Sequence, residues 1–358
     1  KIAASDKPKI QLAILLDTSS SMSGLIDQTR NQLWQVVNEF AKSKKNGMTP
    51  SLEVAVYEYG NSGLSAHNGY IRKVTGLTTE LDQVSEALFA LTTNGGDEYC
   101  GYVIQTAVND LQWSKSDGDI KAIFIAGNEP FTQGPVSYQS AIENAKARGI
   151  KVNTIHAGDY SQGASSGWKD GALFAGGEYM SIDHNFKVVQ INAPQDQKIA
   201  EFNAKLNETY VPYGAQGLKK AERQMEQDKA SATVSAGLAA NRTLSKTSAL
   251  YNNATWDLVD ALENGSVDLN KLESDQLPAA IQKLSKQQQK DYVQKKAEER
   301  KLIKQQITAL SKDRDAYVAE QNRTAGKPAV NTMDDALTAA VRKQGAAKHY
   351  EFDTDKTK

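Results

Sequence analysis

Short apolar runs alternate with helix-spaced apolar positions over the first half of the chain. Six runs have the length and composition of buried strands: Ile10–Leu16, Leu52–Tyr59, Tyr70–Val74, Ile120–Ala126, Lys151–His156 and Glu178–Ile182. Between them apolar residues recur at helical spacing, as Val84, Leu88 and Leu91 do. Near-continuous apolar strands that alternate with helices are typical of a parallel sheet buried on both faces. Residues 8–190 are therefore predicted to form an α/β domain, a doubly wound, mostly parallel sheet with helices on both faces.

The pattern becomes wholly helical near Pro194, where Ala, Gln, Lys, Glu and Asp become abundant. We expect a separate α-helical domain over residues 195–350. Its longest helix carries apolar residues on one stripe, interrupted by Arg314: Ile303, Ile307, Leu310 and Tyr317. Two interpretations stay open. The stripe belongs either to a helical hairpin or short coiled coil that supports an oligomer, or to an amphipathic helix packed on its own domain.

Composition excludes some classes of function. The 358 residues include 42 basic and 43 acidic side chains, a net charge of −1. Proteins that capture nucleic acid or anionic membranes by bulk electrostatics carry a marked positive excess, so neither partner is expected. No apolar stretch approaches the ~18 residues of a membrane span. The aromatic content of 7% and the mean hydropathy of −0.55 indicate a normal core in part of the chain and solvated helix elsewhere.

The segment after the first strand carries the chemistry. Asp17, Ser19 and Ser21 alternate there, so their side-chain oxygens can face one point. In an open α/β sheet, the loops at the carboxyl ends of the strands form the ligand crevice. One carboxylate with two hydroxyls suits Mg²⁺, Mn²⁺ or Ca²⁺ rather than zinc. The competing interpretation is a helix N-cap, for which Asp and Ser are preferred residues.

This Asp-x-Ser-x-Ser segment closely resembles the metal-ion-dependent adhesion site of von Willebrand factor type A domains. The resemblance covers roughly residues 8–185. It implies that a second loop supplies a threonine and a third loop an aspartate. The second loop is Asn94–Tyr99, and the third contains Gly127–Glu129 where relatives have Thr-Asp-Gly. The usual aspartate is thus Asn128, and an acidic pair stands where the threonine is expected.

Compared with the site that the resemblance implies, these differences move a negative charge from the third loop to the second. Asp97 would join Asp17 as the second carboxylate, and Asn128 would contribute a neutral amide oxygen. Glu98 is the substitute for Asp97, since an ungapped match to some relatives puts Glu98 at the threonine position. We favour Asp97, whose shorter side chain suits a loop that passes through the flexible pair Gly95–Gly96.

The predicted ligands of the ion are therefore Asp17, Ser19, Ser21, Asp97 and Asn128. Mg²⁺ is the first choice of ion, with Mn²⁺ or Ca²⁺ as alternatives. Because both the threonine and the aspartate are replaced, a degenerate site that holds no metal is the other interpretation.

The resemblance implies a protein-binding module for adhesion or scaffolding. In the family the ion keeps one coordination position for an acidic side chain of a protein partner. Glu98, Glu129 and Trp168 are predicted to form the rim that the partner contacts, although for Trp168 a place in the core is the favoured interpretation. The alternative is a structural or assembly protein that has a metal-free site and binds through its helical region.

An enzyme is not expected, and no residue is assigned a catalytic role. Haloacid dehalogenase-type phosphotransferases need a second aspartate at the position of Ser19, and a metal-dependent hydrolase is only a remote alternative. No phosphate-binding loop and no His-Glu-x-x-His motif occurs in the chain. The lone Cys100 is predicted to be a small buried residue, and His156 a hydrogen-bonded structural histidine of the core or the rim.

The location follows from family habit and from the start of the chain. The sequence begins at Lys1 without a methionine, which fits removal of a signal peptide. We expect an extracytoplasmic bacterial protein, in the periplasm, on the cell surface or secreted.

Overall fold

The computed structural model describes residues 7–183, 191–324 and 333–352. Its strands are β1 (Lys9–Asp17), β2 (Ser43–Lys44), β3 (Ser51–Tyr59), β4 (Ile71–Thr78), β5 (Ile120–Gly127), β6 (Lys151–Ala157), β7 (Tyr179–Ile182) and β8 (Glu351–Phe352). Six of them form one sheet in the order β4-β3-β1-β5-β6-β7, while β2 pairs with β8. All neighbours in the large sheet are parallel except the antiparallel edge strand β4. The predicted doubly wound, mostly parallel sheet is confirmed.

Thirteen α-helices connect and follow these strands within the described residues. They are α1 (Ser23–Ala41), α2 (Leu81–Phe89), α3 (Cys100–Asp110), α4 (Tyr138–Ala147), α5 (Tyr160–Ser165), α6 (Trp168–Ala175), α7 (Asp196–Asn207), α8 (Gly217–Val234), α9 (Ala236–Ser245), α10 (Leu258–Glu263), α11 (Ala279–Gln282), α12 (Lys286–Thr324) and α13 (Met333–Ala346). The chain divides into two compact units. One takes in the described residues of Lys1–Val188 and Ala329–Lys358, and the other those of Val189–Pro328.

The central strand β1 is buried on both faces, which is why its sequence is a continuous apolar run. Ala13 and Leu15 belong to the core on one face, where α3 and α4 supply buried residues. Leu12 and Ile14 line the opposite face together with Leu33 of α1. Burial on both faces fixes the register of β1, so its last residue, Asp17, lies at the carboxyl edge of the sheet.

The C-terminal helix α13 belongs to the first unit, contrary to the expectation that the helical domain runs to residue 350. It packs against α1 and β5. Leu337 lies beside Leu12 and Ile14, and the side-chain amide of Gln344 donates to the backbone oxygen of Lys121 at 3.0 Å. A helix-spaced pattern gives the buried stripe of α13 but does not say which surface covers it, so the sequence could not assign this helix to the sheet.

In the second unit, α12 is 39 residues long and packs against α7, α9 and α10 of the same unit. This arrangement corresponds to the interpretation of an amphipathic helix packed on its own domain. Arg314, which interrupts the apolar stripe, is buried and donates from Nε to Asp196 at 2.6 Å. None of the helices in the described ranges is long and apolar enough to cross a membrane.

A buried arginine organises the second unit. Arg300 of α12 donates to the carboxylates of Asp257 at 2.7 Å and Asp260 at 2.8 Å, and to the backbone oxygen of Thr209 at 2.7 Å. Its guanidinium lies 4.1 Å from the ring centroid of Tyr210. Pairing with several acceptors offsets the cost of removing this charge from water, so loss of one carboxylate leaves the buried charge with weaker compensation.

We expect Leu337→Ala to destabilise the first unit by about 2–5 kcal/mol, because a fully buried leucine is replaced by a cavity against the sheet. Denaturant unfolding followed by circular dichroism measures the loss. Ala339→Ser, at an exposed position of the same helix, is the matched control. Equal stability of the two variants would show that α13 does not complete the core of this unit.

Candidate metal centre

Asp17 ends β1 and turns the chain into the first helix. Its side chain is fully buried, and Oδ1 accepts a hydrogen bond from the backbone amide of Ser19 at 2.8 Å. A short 3-10 turn, Ser20–Met22, then leads into α1. The other carboxylate oxygen, Oδ2, is buried and has no hydrogen-bond partner. The strand register and this hydrogen bond therefore hold the Asp17 carboxylate at the edge of the sheet, where Oδ1 is paired and Oδ2 remains available as an acceptor.

The N-cap interpretation of this segment is wrong. Ser19 precedes the 3-10 turn, but its hydroxyl caps no backbone amide, and α1 likewise begins without a side-chain cap. The intervening Thr18 points the other way, with its hydroxyl donating to Glu58 at 3.1 Å. As the predicted alternation requires, Thr18 points away from the side on which Asp17 and Ser19 lie. Neither Asp17 nor Ser19 caps a helix.

Three buried oxygens from two loops have no partner in good hydrogen-bonding geometry: Asp17 Oδ2, Ser19 Oγ and Asn128 Oδ1. The Ser19 hydroxyl and the Asn128 backbone amide lie close enough to the Asp17 carboxylate to oppose the rise of its pKa. Ser21 is exposed, and its hydroxyl lies 3.5 Å from the side-chain nitrogen of Asn128. Buried polar atoms in native proteins almost always have a partner, so a group of unpartnered oxygens indicates a missing positive group or water. Oxygen-only ligands of this kind fit a hard divalent cation.

The second carboxylate beside Asp17 is Glu98 and not Asp97. Glu98 is 6% exposed, whereas Asp97 is exposed to solvent and accepts a hydrogen bond from the hydroxyl of Tyr99 at 3.3 Å. The preference for Asp97 is therefore corrected. The shorter side chain of Asp97 does not decide which residue faces Asp17, because the backbone at Gly96 lies directly against the neighbouring loop. The direction of the backbone instead turns Glu98 towards Asp17.

Two glycines make this close approach of carboxylates geometrically feasible. Gly60 has φ +76°, and a Cβ there would lie 2.6 Å from Cγ of Glu98 and 3.0 Å from Oδ1 of Asp17. At Gly127 a Cβ would lie 2.5 Å from the hydroxyl oxygen of Tyr59. A threonine at the position of Gly127, as in relatives, would therefore collide with Tyr59. Tyr59 and Gly60 were not predicted as site residues, and the Tyr-Gly pair at the end of β3 was the signal in the sequence that could have identified them.

Both carboxyl groups have raised pKa values. Burial is the main cause for Asp17, whose pKa rises from 3.8 to about 6, while the polar groups of Ser19 and the backbone of Asn128 oppose the rise. Burial also raises the pKa of Glu98 from 4.5 to about 7, and the negative charges of Asp17 and Glu129 add to it. The site is therefore an electrostatically unfavourable place for two negative charges unless positive charge joins them.

The buried side chain of Trp168 holds the third loop in place. Its indole nitrogen donates to the backbone oxygen of Glu129 at 2.8 Å, and its ring packs on Phe131 at 4.9 Å between centroids. Trp168 is fully buried, so its predicted place on the partner-binding rim is wrong, because the aromatic ring fills the space beneath the loop. The side chain of Glu129 is half-buried, and its negative charge raises the pKa of both Asp17 and Glu98, so it lies close to the two carboxylates.

Cys100 and His156 are both buried, in line with the structural roles expected for them. The Cys100 thiol lies 3.8 Å from the hydroxyl of Tyr59, and burial raises the pKa of that thiol well above its usual range. His156 packs against Trp168, with 5.9 Å between ring centroids.

Among the described residues, no group of three or more His, Cys, Asp and Glu side chains is arranged to hold a metal ion. The candidate centre instead combines the two carboxylates of Asp17 and Glu98 with hydroxyl and amide oxygens. This donor set suits Mg²⁺, Mn²⁺ or Ca²⁺ and lacks the nitrogen and sulfur ligands that structural zinc sites use.

Residues 11–166 match the family model of the von Willebrand factor type A domain. Solved structures with a similar chain include proximal thread matrix protein 1 from the mussel byssus, at 15% identity and a TM-score of 0.37, which covers 49% of this chain and 41% of the mussel chain. BatB from Bacteroides thetaiotaomicron is 13% identical, with a TM-score of 0.37 and coverage of 62% and 99%. An aerotolerance-related membrane protein from Bacteroides fragilis is 13% identical, with a TM-score of 0.34 and coverage of 49% and 92%.

One structure of the mussel protein is described as having a zinc-occupied metal-ion-dependent adhesion site. The present chain spans about two fifths of the length of that mussel protein. A search of curated proteins finds no match to the chain.

Without metal, stability is expected to fall as the pH rises from about 5 to 8. The pKa values of Asp17 and Glu98 are higher in the folded protein than their ordinary values, so folding favours the protonated forms and this contribution is lost as the pH rises through about 6 and 7. Glu98→Gln should make the fall smaller. Thermal unfolding midpoints in chelator at pH 5 and pH 8 measure it. Glu143→Gln, an exposed change on α4, is the control, and an equal fall in both variants contradicts the electrostatic account.

Proposed function

We propose that this chain, whose residues 11–166 form a von Willebrand factor type A domain, is a metal-dependent protein-binding module for adhesion or scaffolding. Five side chains would hold the cation: Asp17, Ser19, Ser21, Glu98 and Asn128. The observation that carries the proposal is the set of buried oxygens of Asp17, Ser19 and Asn128 that have no hydrogen-bond partner. Hydroxyl, amide and carboxylate oxygens together form a hard donor set that suits Mg²⁺, our first choice of ion, and also Mn²⁺ or Ca²⁺.

Charge supports the same assignment. Asp17 and Glu98 are buried near each other, and among the described residues neither forms an ion pair with a Lys, Arg or His side chain. When bound, a divalent cation supplies the positive charge that the two carboxylates lack and an open coordination position for an oxygen of a partner. Asn128, unlike the aspartate of relatives, adds no negative charge, so two carboxylates balance one divalent ion.

The partner would be a protein that presents an acidic side chain. Domains of this type mediate protein interactions, and they are mostly non-enzymatic adhesion or scaffold modules. A carboxylate is the side chain best suited to complete the coordination of Mg²⁺. We assign no catalytic role to any residue. We also expect an extracytoplasmic bacterial location, which cell fractionation with an antibody against the chain would test.

A second candidate function is assembly through the helical unit, with no metal at the candidate centre. It is favoured by apolar side chains on α8 that face solvent, Leu218 at 71% and Met225 at 53% exposure. An oligomer or a structural complex formed there would be indifferent to chelators. Pull-down from an extract with and without chelator separates this candidate from metal-dependent capture.

We expect isothermal titration with Mg²⁺ or Mn²⁺ to show one site per chain, weakened by more than about 10-fold in Asp17→Asn and in Glu98→Gln, because each variant removes a charged ligand. Asp97→Asn should bind the ion with unchanged affinity, since this side chain lies outside the pocket. Asp110→Asn, an exposed change at the end of α3, is the control. Metal affinity that depends on Asp97 and not on Glu98 would contradict the assignment.

A further inference from the structure

Three lysines meet at the amino edge of the large sheet, at the opposite end of the strands from the metal centre. Lys121 is the second residue of β5, Lys45 follows β2, and Lys348 follows α13. Lys121 is buried, and the other two side chains are half-buried. The strands β1 and β5 are parallel, so the two edges are separated by a strand length, on the order of 20 Å. This group, here called the three-lysine cluster, is therefore separate from the site of Asp17.

The ammonium groups of two of these lysines reach neighbouring backbone oxygens in the loop before β5. Lys45 donates to the oxygen of Gly118, and Lys348 donates to the oxygen of Asp119. Because consecutive Cα atoms are only about 3.8 Å apart, two ammonium groups that bind consecutive carbonyls lie within about 10 Å of each other. Two segments that are distant in sequence thus bring their positive charges together at the edge of the sheet.

Lys121 adds a third positive charge from within the fold. Its Nζ donates to the backbone oxygen of Ser114 at 3.0 Å and to that of Arg148 at 2.6 Å. These carbonyl groups hold the ammonium group in place but carry no net charge, so they do not neutralise it. The charges of Lys121 and Lys45 both act on Lys348, which means that the three ammonium groups lie close together.

The acidic side chains near the cluster do not pair with it. Among the described residues, no carboxylate forms an ion pair with any of the three lysines. Asp117 and Asp119 are the acidic residues whose charges reach Lys348. Asp117 is exposed to solvent. The carboxylate of Asp119 accepts hydrogen bonds from the backbone amide of Lys9 at 2.9 Å and from the hydroxyl of Ser114 at 2.6 Å, so it is already engaged.

The cluster has the opposite electrostatic problem to the metal centre. Burial lowers the pKa of Lys348, and the charges of Lys121 and Lys45 lower it further. The charges of Asp117 and Asp119 oppose this fall without cancelling it. At the metal centre buried carboxylates lack a positive partner, whereas here ammonium groups lack a negative one. A bound anion would supply that charge.

Two of the lysines also have hydrogen-bond donors to spare. An ammonium group has three N–H donors, and within the described part of the chain Lys45 and Lys348 each use one, on a backbone oxygen. The ring centroid of Tyr350 lies 4.8 Å from Nζ of Lys45, and the hydroxyl of Tyr350 donates to the backbone oxygen of Lys9 at 2.8 Å. These contacts hold the Lys45 ammonium group in position, which lowers the entropic cost of binding an anion there.

We propose that the three-lysine cluster binds a doubly charged tetrahedral oxyanion, of the phosphate or sulfate class. Lys45 and Lys348 would donate to its oxygens, and the charge of Lys121 would add attraction from the buried side. A dianion with several oxygens can accept hydrogen bonds from two ammonium groups at once, which a monovalent anion does less well. The anion would join the turn after β2 to the segment after α13. This site does not depend on the proposed function of the metal centre.

The test is isothermal titration of the full chain with inorganic phosphate, sulfate and nitrate near neutral pH. The buffer is freed of metal ions by a chelating resin, so that no cation at the metal centre can hold the anion. Ionic strength is matched with chloride, because screening alone would change weak binding. We expect one site per chain for phosphate and for sulfate, with affinity at least about 10-fold higher than for nitrate.

Variants assign the binding to the cluster. Lys45→Gln and Lys348→Gln should each weaken phosphate binding by about 10-fold, because each removes a charge-assisted hydrogen bond. Lys348→Arg keeps the charge and should retain most of the affinity. Lys44→Gln is the matched control, since this lysine is exposed and its side chain points to the opposite side of β2 from that of Lys45. Circular dichroism checks that each variant is folded.

A second measurement locates the anion without a substitution. Acetylation by an N-hydroxysuccinimide ester, followed by peptide mass spectrometry, reports the accessibility of each amine. Phosphate should slow the labelling of Lys45 and Lys348 and leave that of Lys44 unchanged, whereas nitrate should protect none of them. Glycerol 2-phosphate in place of phosphate tells the source of the oxyanion: equal protection means that the site admits a phosphate ester, and protection by phosphate alone means that it takes the free ion.

Three results would overturn the proposal. Phosphate and sulfate could bind no more tightly than nitrate at equal ionic strength. The affinity for phosphate could be the same in Lys45→Gln, Lys348→Gln and the unaltered chain, which would place the anion elsewhere. Phosphate could also bind without protecting either lysine from acetylation.

Discussion

The site depends on the burial of two carboxylates close together. Asp17 lies at the end of a strand whose register is fixed by burial on both faces, and Glu98 comes to it from a separate loop. Burial raises the pKa of each carboxyl group above its ordinary value, mainly because the group loses hydration. The charge of Asp17 raises the pKa of Glu98 further. Such an arrangement is costly in a metal-free protein and becomes favourable when a divalent cation joins it.

Glycines in the surrounding loops permit this close approach of the two carboxylates. Gly60, Gly96 and Gly127 each lie where a Cβ would come within 3 Å of a neighbouring loop or side chain. Gly96 would meet the backbone oxygen of Gly60 at 2.6 Å, and the amide of Ser62 donates to the oxygen of Gly95 at 2.6 Å. At Gly127 the hydroxyl of Tyr59 occupies the space that a Cβ would need, and Glu98 supplies negative charge from the opposite loop.

The strands could be predicted from the sequence because a strand that is buried on both faces consists of a continuous apolar run, as in Ile120–Ala126. It also placed Asp17 and Ser19 together, since strand alternation decides which way they point. It favoured Asp97 over Glu98 wrongly, because the direction of a side chain in a glycine-containing loop depends on contacts with other loops. Trp168 and α13 were misplaced for a similar reason: an aromatic residue or an apolar stripe indicates burial without identifying the surface that covers it.

The most direct test is the position of a bound ion. Crystals grown in Mn²⁺ and measured at the manganese absorption edge give an anomalous peak that identifies the metal without reference to the surrounding protein. The account predicts one strong peak with Asp97 outside the coordination sphere and with five coordinating side chains, Asp17, Ser19, Ser21, Glu98 and Asn128. A structure in ample Mn²⁺ with no peak at these side chains, or with a lysine filling their pocket, would contradict it.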